Sequence, residues 1–287
     1  MKHGAKPLLP GLYLVPTPIG TARDITLRAL DVLSAADVIA AEDTRVTRRL
    51  LDIHAIELAG RPVWAYHDHN GAAVRPRIMA AIGEGKSVAY VTDAGTPLIA
   101  DPGYGLVTEA RALGLYVTAL PGPSSVTTAL AIGGLPTDRF HFGGFVPASA
   151  GARRSFYAEF LNIPATLVFF ETGKRLGKSL GDLQKIMGPD RQVRICRELT
   201  KRYEEVIVGT VSELAQRFAD QAPKGEIVML VAKSQDGATH ADMNSALAEA
   251  LGTMRTKDAA DAVSTELGLP RRQVYQAALA MVKARGG

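Results

Sequence analysis

A chain of 287 residues, 47% hydrophobic and 22% charged, has the length of about two domains and enough apolar content to give each a core. Its single cysteine, Cys196, excludes an intrachain disulfide and a cysteine-based metal site, and a formal net charge of +4 permits a polyanionic partner without requiring one. No apolar run reaches the about 18 residues of a membrane span, and the short basic start leads into a stretch broken by Pro10, Gly11 and Pro16 rather than a signal-peptide pattern, so a cytoplasmic protein away from membranes is expected.

The first 120 residues alternate short β-rich runs with helical patterns. Strands are predicted at "LYLVP" (12–16), "DVIAAE" (37–42), "PVWAY" (62–66), "SVAYVT" (87–92) and "YVTAL" (116–120), with helices near 26–36, 44–52, 72–83 and 104–113 between them. Near-continuous apolar strands separated by helices predict an α/β unit with a parallel sheet covered on both faces. Right-handed crossovers then put all strand C-termini on one edge, where such sheets bind ligands. "PTPIG", "EDTR", "HDHN" and "DAGTP" each follow a strand and would gather there.

A second unit opens at "LPGPSS" (120–125). It carries a helix at 124–133, strands near 165–171, 192–199, 203–209 and 226–233, and helices near 175–187 and 211–220. The strands at 192–199 and 203–209 are close enough for a hairpin, so this sheet is expected to be mixed. "SQDGATHA" (234–241) reads as a linker and 242–287 as helical throughout. The expected organisation is therefore an α/β domain over 1–120, a second over 121–236, and a linker with a small helical unit over 237–287.

The motifs admit functional and plainer readings. In "DAGTP", Asp93 suits hydrogen bonds to a ligand and Gly95 allows close backbone approach; a tight turn would need the same residues. "PGPSS" (121–125) precedes a helix that Ser124 or Ser125 can cap, and the exposed amides there can hold a carboxylate or polar group. "AYHDHN" (65–70) sets His67 and His69 at alternate positions. With Glu42 or Asp43 they form a possible metal site or base pair, against a simple polar loop. "AEDTRVTRRLL" (41–51) places Glu42, Asp43 and Arg45 at a strand end, with Arg48 and Arg49 beyond. Acids there position a sugar hydroxyl and arginines hold phosphate; alternatively they are dipole-matched acids and a solvated basic face. "GKRLGKS" (173–179) has three residues between its glycines where a phosphate loop needs four, and no G-x-G-x-x-G follows the first strand. In the tail, "KDAADAVSTELGLPRRQVYQAAL" (257–279) reads as helix, stop at Gly268, start at Pro270, helix. Ala259, Val263 and Leu267 make its apolar stripe, and Arg271 and Arg272 open the second helix: a helix-turn-helix or a helical cap.

Taken together, "LYLVPTPIG", "RALDVLSAADVIAAEDTR", "HDHN", "VTDAGTPLIADPG", "LPGPSS", "GLPTDRFHFGGFVP", "ELTK" and "KGE" resemble the tetrapyrrole methylase superfamily. Within it they look like the ribosomal RNA small subunit methyltransferase I family, over nearly the whole chain. "AEDTR" and "DAGTPLIxDPG" are its most specific stretches. The resemblance implies two α/β domains, the first sheet parallel and the second mixed, with S-adenosylmethionine in the cleft between them. It also implies a homodimer, no metal, and 2′-O-methylation of a cytidine ribose in the decoding region of 16S ribosomal RNA, within the 30S subunit. Asp93, Ala94, Gly95 and Ile99 would form one cleft wall, with Pro18 and Gly20 beside it and Ser124 and Ser125 on the hinge side. Phe170, Glu171, Gly225 and Glu226 would come from the second domain. Glu42, Asp43, Arg45, His67 and His69 are the catalytic candidates, with the base left open among them. Arg48, Arg49, Arg271 and Arg272 would bind RNA. Two positions depart from the family pattern: G-N-L-x-D reads Gly20, Thr21, Ala22, Arg23, Asp24, and Lys174 stands where a histidine is usual.

Overall fold

In the computed structural model, which describes residues 7–67, 70–234, 240–267 and 269–285, the first domain follows the predicted alternation. It runs β1 (Gly11–Val15), α1 (Leu27–Ala35), β2 (Val38–Ala41), α2 (Thr44–Ile53), β3 (Val63–Ala65), α3 (Gly71–Gly83), β4 (Ser87–Val91), α4 (Tyr104–Ala112) and β5 (Val117–Ala119). The sheet is parallel in the order β3-β2-β4-β1-β5. Its strands feed two cores at once. Leu12, Leu14, Val88 and Tyr90 pack on the α3–α4 side, while Tyr13, Val15, Ala89 and Val91 pack on the α1–α2 side. Burial on both faces is why these strands read as unbroken apolar runs.

The second domain runs α5 (Ser125–Gly133), β6 (Phe140–Phe145), α6 (Ala150–Glu159), β7 (Thr166–Thr172), α7 (Gly173–Met187), β8 (Gln192–Arg197), β9 (Glu205–Thr210), α8 (Val211–Arg217) and β10 (Glu226–Val231). Its sheet, in the order β6-β7-β10-β8-β9, is mixed: β6 and β7 are parallel and the other pairings antiparallel, including the expected β8–β9 hairpin.

Two elements of this domain, β6 and α6, are absent from the sequence expectations, and each has a local reason. β6 holds Gly143 and Gly144, and its register with β7 slips between Phe142 and Gly144. Adjacent glycines at a bulge erase the strand alternation. α6 turns Arg153 and Tyr157 inward, with Phe160 buried just past its end. A charged residue in the middle of the buried face breaks the apolar period that would have revealed the helix. Arg153 is satisfied there by Asp182 of α7, whose Oδ2 accepts from Nε at 2.9 Å and Nη2 at 2.6 Å. The "GKRLGKS" glycines lie on α7. A methyl group on Gly173 would collide with the Pro223 carbonyl, and one on Gly177 with the Phe218 carbonyl. Close helix packing accounts for both.

The tail contains α9 (His240–Ala250), α10 (Thr256–Leu267) and α11 (Arg271–Arg285). Met243, Leu247, Ala260, Val263, Val274 and Ala278 form its own core. Most of the expected linker, 235–239, lies outside the described residues. Among the described residues no helix is long and apolar enough to cross a membrane.

Candidate active site

The ends of β1, β2 and β4 lie side by side, which brings together residues far apart in the chain. Asp93 N–H donates to Glu42 Oε2 at 3.1 Å, and Asp43 N–H donates to Asp93 Oδ1 at 3.0 Å. Three acidic residues are thus laced together, two of them through carboxylates that accept a neighbour's backbone N–H. Asp43 also caps α2, accepting from Arg45 N–H at 2.8 Å, and it grips the Arg45 guanidinium through Nη2 at 2.6 Å. These bonds to Arg45 hold the Asp43 carboxyl far below the usual carboxylate range. Asp93 shifts the other way: burial pushes its pKa up, and the Asp43 charge adds to the rise.

The "DAGTP" turn is pinned by a two-way backbone bridge. Thr17 N–H donates to the Gly95 carbonyl and Gly95 N–H to the Thr17 carbonyl, both at 3.0 Å. Gly95 adopts φ 85°, which glycine takes without penalty. Beyond it, Leu98 (φ 73°) and Ala100 (φ 59°) are held in left-handed backbone. Such residues each cost of order 1–3 kcal/mol and persist where the surroundings fix them, typically at ligand sites. Between them Ile99 is pushed outward, 40% exposed. Thr96 Oγ1 donates to the Pro123 carbonyl at 2.9 Å, tying this wall to the start of the second domain. Ser124 takes the N-cap position of α5, but neither it nor Ser125 supplies the expected side-chain cap. The strand-to-helix turn sets the helix start instead, leaving first-turn amides to a ligand.

The second domain answers with a clasp built from "ELTK" and "KGE". Glu198 Oε1 accepts from Glu226 N–H at 3.0 Å and from Lys201 Nζ at 3.1 Å, while Lys201 Nζ reaches Glu226 Oε2 at 2.8 Å. The clasp also meets the first domain. Thr21 N–H donates to Thr200 Oγ1 at 3.1 Å, and Thr21 Oγ1 donates to the Thr200 carbonyl. Thr21, which replaces the family's asparagine, is therefore an interdomain contact. A side chain at Gly20 would come within 2.6 Å of Lys201 Cγ. Glycine at this position lets the two domains touch.

Between these walls lies a cavity of about 400 Å³. Ile19, Ile99, Phe145, Phe170, Leu199 and Val228 give it apolar faces, and Glu42, Asp93, Asp101, Glu171 and Glu226 line it with acid. Among the described residues, no Lys, Arg or His lines it. Arg175 partly neutralises Glu171 from outside at 2.7 Å, as Lys201 does Glu226. Glu171 is 2% exposed, and its Oε2 is buried with no hydrogen-bond partner. An orphaned carboxylate oxygen in an acidic, partly apolar cavity fits a ligand that carries positive charge and N–H or O–H donors. S-adenosylmethionine, with its sulfonium, ammonium, adenine and ribose hydroxyls, has that chemistry; a polyphosphate does not.

Among the sequence-derived cofactor residues, Asp93, Ala94, Gly95, Ile99, Ser124, Ser125, Phe170, Glu171, Gly225 and Glu226 all line this cavity. Pro18 and Gly20 instead line a smaller adjoining one. Glu42 reaches the main cavity, whereas Asp43, Arg45 and His67 are absent from its lining. His67 opens a turn, its carbonyl accepting from the N–H groups of Asn70 and Gly71, rather than continuing an extended strand. His69 lies outside the described residues. No group of three or more His, Cys, Asp or Glu among the described residues is placed to hold a metal ion. Arg48 and Arg49 project from the exposed face of α2. Arg271 is paired to Asp261 of α10, and Arg272 is exposed beside it. Thr172, Leu199 and Phe145 also line the cavity; they lie within stretches that carry the resemblance without having been singled out, whereas Cys196, which lines it too, had no sequence signal and reads as a core residue until the two domains meet.

Residues 11–215 match the family profile described as Tetrapyrrole (Corrin/Porphyrin) Methylases, and 237–282 that of the RsmI C-terminal HTH domain. Solved structures share the fold. Cobalt precorrin-4 methyltransferase aligns with a TM-score of 0.59 and 19% identity, covering 77% of this chain and 94% of that one. Diphthine synthase aligns with 0.57 and 17%, covering 78% and 90%. Curated relatives are nearer. The ribosomal RNA small subunit methyltransferase I of Mesorhizobium japonicum is 44% identical over 98% of this chain and 96% of its own. The protein of the same name from Escherichia coli O157:H7 is 42% identical over 93% and 94%. That from Mycobacterium tuberculosis is 42% identical over 96% and 97%. With a two-domain cleft of this form and relatives at this identity over nearly its whole length, the chain belongs to the ribosomal RNA small subunit methyltransferase I family of the tetrapyrrole methylases.

Proposed function

We propose that this methyltransferase moves a methyl group from S-adenosylmethionine to the ribose 2′-hydroxyl of a cytidine in the decoding region of 16S ribosomal RNA, acting on the 30S subunit as a homodimer. The observation that carries the reading is the acid-lined cavity of about 400 Å³ opening beside a helix whose outer face bears Arg45, Arg48 and Arg49. A cationic donor suits the first and an RNA backbone the second. The names of the curated relatives support the substrate.

S-adenosylmethionine supplies an already electrophilic methyl group, so the protein must align the hydroxyl and take its proton. Asp93, Glu171 and the α5 N-terminus would hold the donor's polar groups, and Phe170, Leu199 and Ile99 would cover its apolar ring. Of the base candidates with described side chains, Glu42 suits the role best, because it lines the cavity. Asp43 is committed to Arg45 and held strongly acidic, which makes it a poor proton acceptor.

Calorimetry with metal-free protein should detect S-adenosylmethionine binding. Tritium-methyl transfer should then label 16S RNA in 30S particles and not a tetrapyrrole precursor offered alongside. A protein that binds no donor, or that labels the tetrapyrrole and leaves the RNA unlabelled, would sink this reading.

A further inference from the structure

A second cavity of about 230 Å³ adjoins the first, and Asp93 belongs to the walls of both. Its chemistry differs. Pro18, Ala22, Val46, Leu50 and Ile53 give it aliphatic sides, with one guanidinium, Arg49, and one carboxylate, the shared Asp93. A cavity so balanced does not select a cation. Val46 and Ile53 are 42% and 55% exposed on an otherwise charged outer helix face, so apolar surface is presented where solvent would favour polar groups.

Its hydroxyls are also unequal. Thr17 Oγ1 donates to the Thr92 carbonyl at 3.2 Å, and Thr92 Oγ1 to the Gly95 carbonyl at 3.4 Å. Thr47, 1% exposed, has a buried Oγ1 without a hydrogen-bond partner. A buried hydroxyl left unsatisfied is costly, and a ligand that bonds to it removes the cost.

We infer that this second cavity receives the base of the target nucleotide, rotated out of its stack, and so sets its ribose against Asp93 at the mouth of the donor cavity. The inference rests on the RNA ribose reading above. Nucleotides in single-stranded loops can be splayed out of their stack into a protein pocket, and the ribose is carried along with its base. The aliphatic walls take the flat faces of the base, the Thr47 hydroxyl bonds to its polar edge, and Arg48 and Arg49 hold the flanking phosphates. The floor carries Pro18 and Gly20, and Gly20 lies against Lys201 of the second domain, so the pocket depends on the domains being joined.

Two variants test this, each assayed for donor affinity by calorimetry and for methyl transfer to 30S particles. Val46→Trp fills the cavity from an exposed position. Thr47→Val removes the hydroxyl with little change of shape. With a nucleotide base as occupant, donor affinity stays within about twofold of wild type in both. Transfer falls at least about tenfold in Val46→Trp and about three- to tenfold in kcat/KM in Thr47→Val, the size of one missing hydrogen bond. Wild-type transfer rates in both variants overturn the inference, as does a parallel loss of donor affinity, which would make the cavity part of the donor site. Wild-type protein that binds donor and labels no ribosomal RNA overturns the functional reading, and this inference with it.

Discussion

Asp93 joins the two cavities, and its charge state decides what the larger one can hold. Burial raises its pKa, with the Asp43 charge adding to the rise. An acid with a raised folded pKa binds its proton more tightly in the fold than in the unfolded chain. Its contribution therefore favours the fold below the ordinary carboxylate range and fades as pH rises through the folded value. Donor binding runs the other way, because a cation needs the ionised form. Affinity for S-adenosylmethionine should accordingly begin to fall, on acidification from neutrality, at a higher pH than an ordinary Asp pKa of about 3.9 would give. Asp93→Asn keeps an oxygen to accept from Asp43 N–H. It should weaken the donor about ten- to hundredfold at neutral pH, abolish the acid-side fall, and leave thermal stability unchanged or slightly raised. Calorimetric titrations of both proteins over about pH 4 to 8 would check this, and an unchanged pH profile in the variant would assign the fall to another group. Asp93 was legible because it ends a strand before a glycine turn. Cys196 was not, since nothing local separates a cavity wall from a core; burial pushes its thiol up to about 11, the behaviour of an inert interior cysteine.

At the scale of elements, periodicity carried the fold where buried faces are apolar and failed where they are not. The three central strands of the parallel sheet, β1, β2 and β4, announce themselves through two-sided burial, the edge strands β3 and β5 through short apolar runs between helical stretches, and the β8–β9 hairpin through its short connection. α6 stayed hidden because its inner face is built around Arg153, and β6 because of its paired glycines. The two halves of the clasp, "ELTK" and "KGE", could be read but not connected: Glu198 and Glu226 are 28 residues apart and meet only once β8 and β10 pair. The α6 case carries a measurable consequence. Arg153 is 3% exposed and Asp182 5% exposed, with Arg154 and Lys185 at 3.4 and 3.7 Å as secondary partners. Removing one member of a buried pair costs about 3–5 kcal/mol, because the other is left without its partner. The secondary cations place Arg153→Met near the lower end, about 3 kcal/mol, and the double change Arg153→Met, Asp182→Leu should recover much of it. Urea unfolding of wild type and both variants gives the comparison, and a single variant within about 0.5 kcal/mol of wild type would show that the pair contributes little.

The whole molecule separates its charge by task. The main cavity's lining is acidic, the helix beside it basic on its outer face, and the last two helices of the tail basic again. From Arg255 onward six Lys or Arg residues face three acids, a net of +3. The tail's apolar stripe is spent on its own core of Met243, Leu247, Val263 and Val274, which leaves charge as what it offers a partner. Arg271 and Arg272 are not equivalent in this. Arg271 is forked onto Asp261 and secures the α10–α11 turn, while Arg272 is exposed beside it. We propose that the tail adds affinity for RNA phosphates rather than sequence choice. The described residues that line the donor cavity all lie between Ile19 and Val228, so a chain lacking 242–287 should bind S-adenosylmethionine nearly as the full chain does. Its binding to 30S particles should weaken, most at low salt. The slope of log affinity against log salt should shrink by about 0.9 for each phosphate that the tail no longer neutralises. Arg272→Ala should reproduce about one such step, and Arg271→Ala should also lower the stability of the tail itself. Truncated protein that methylates 30S particles as efficiently as the full chain at every salt concentration would reduce the tail to a helical cap.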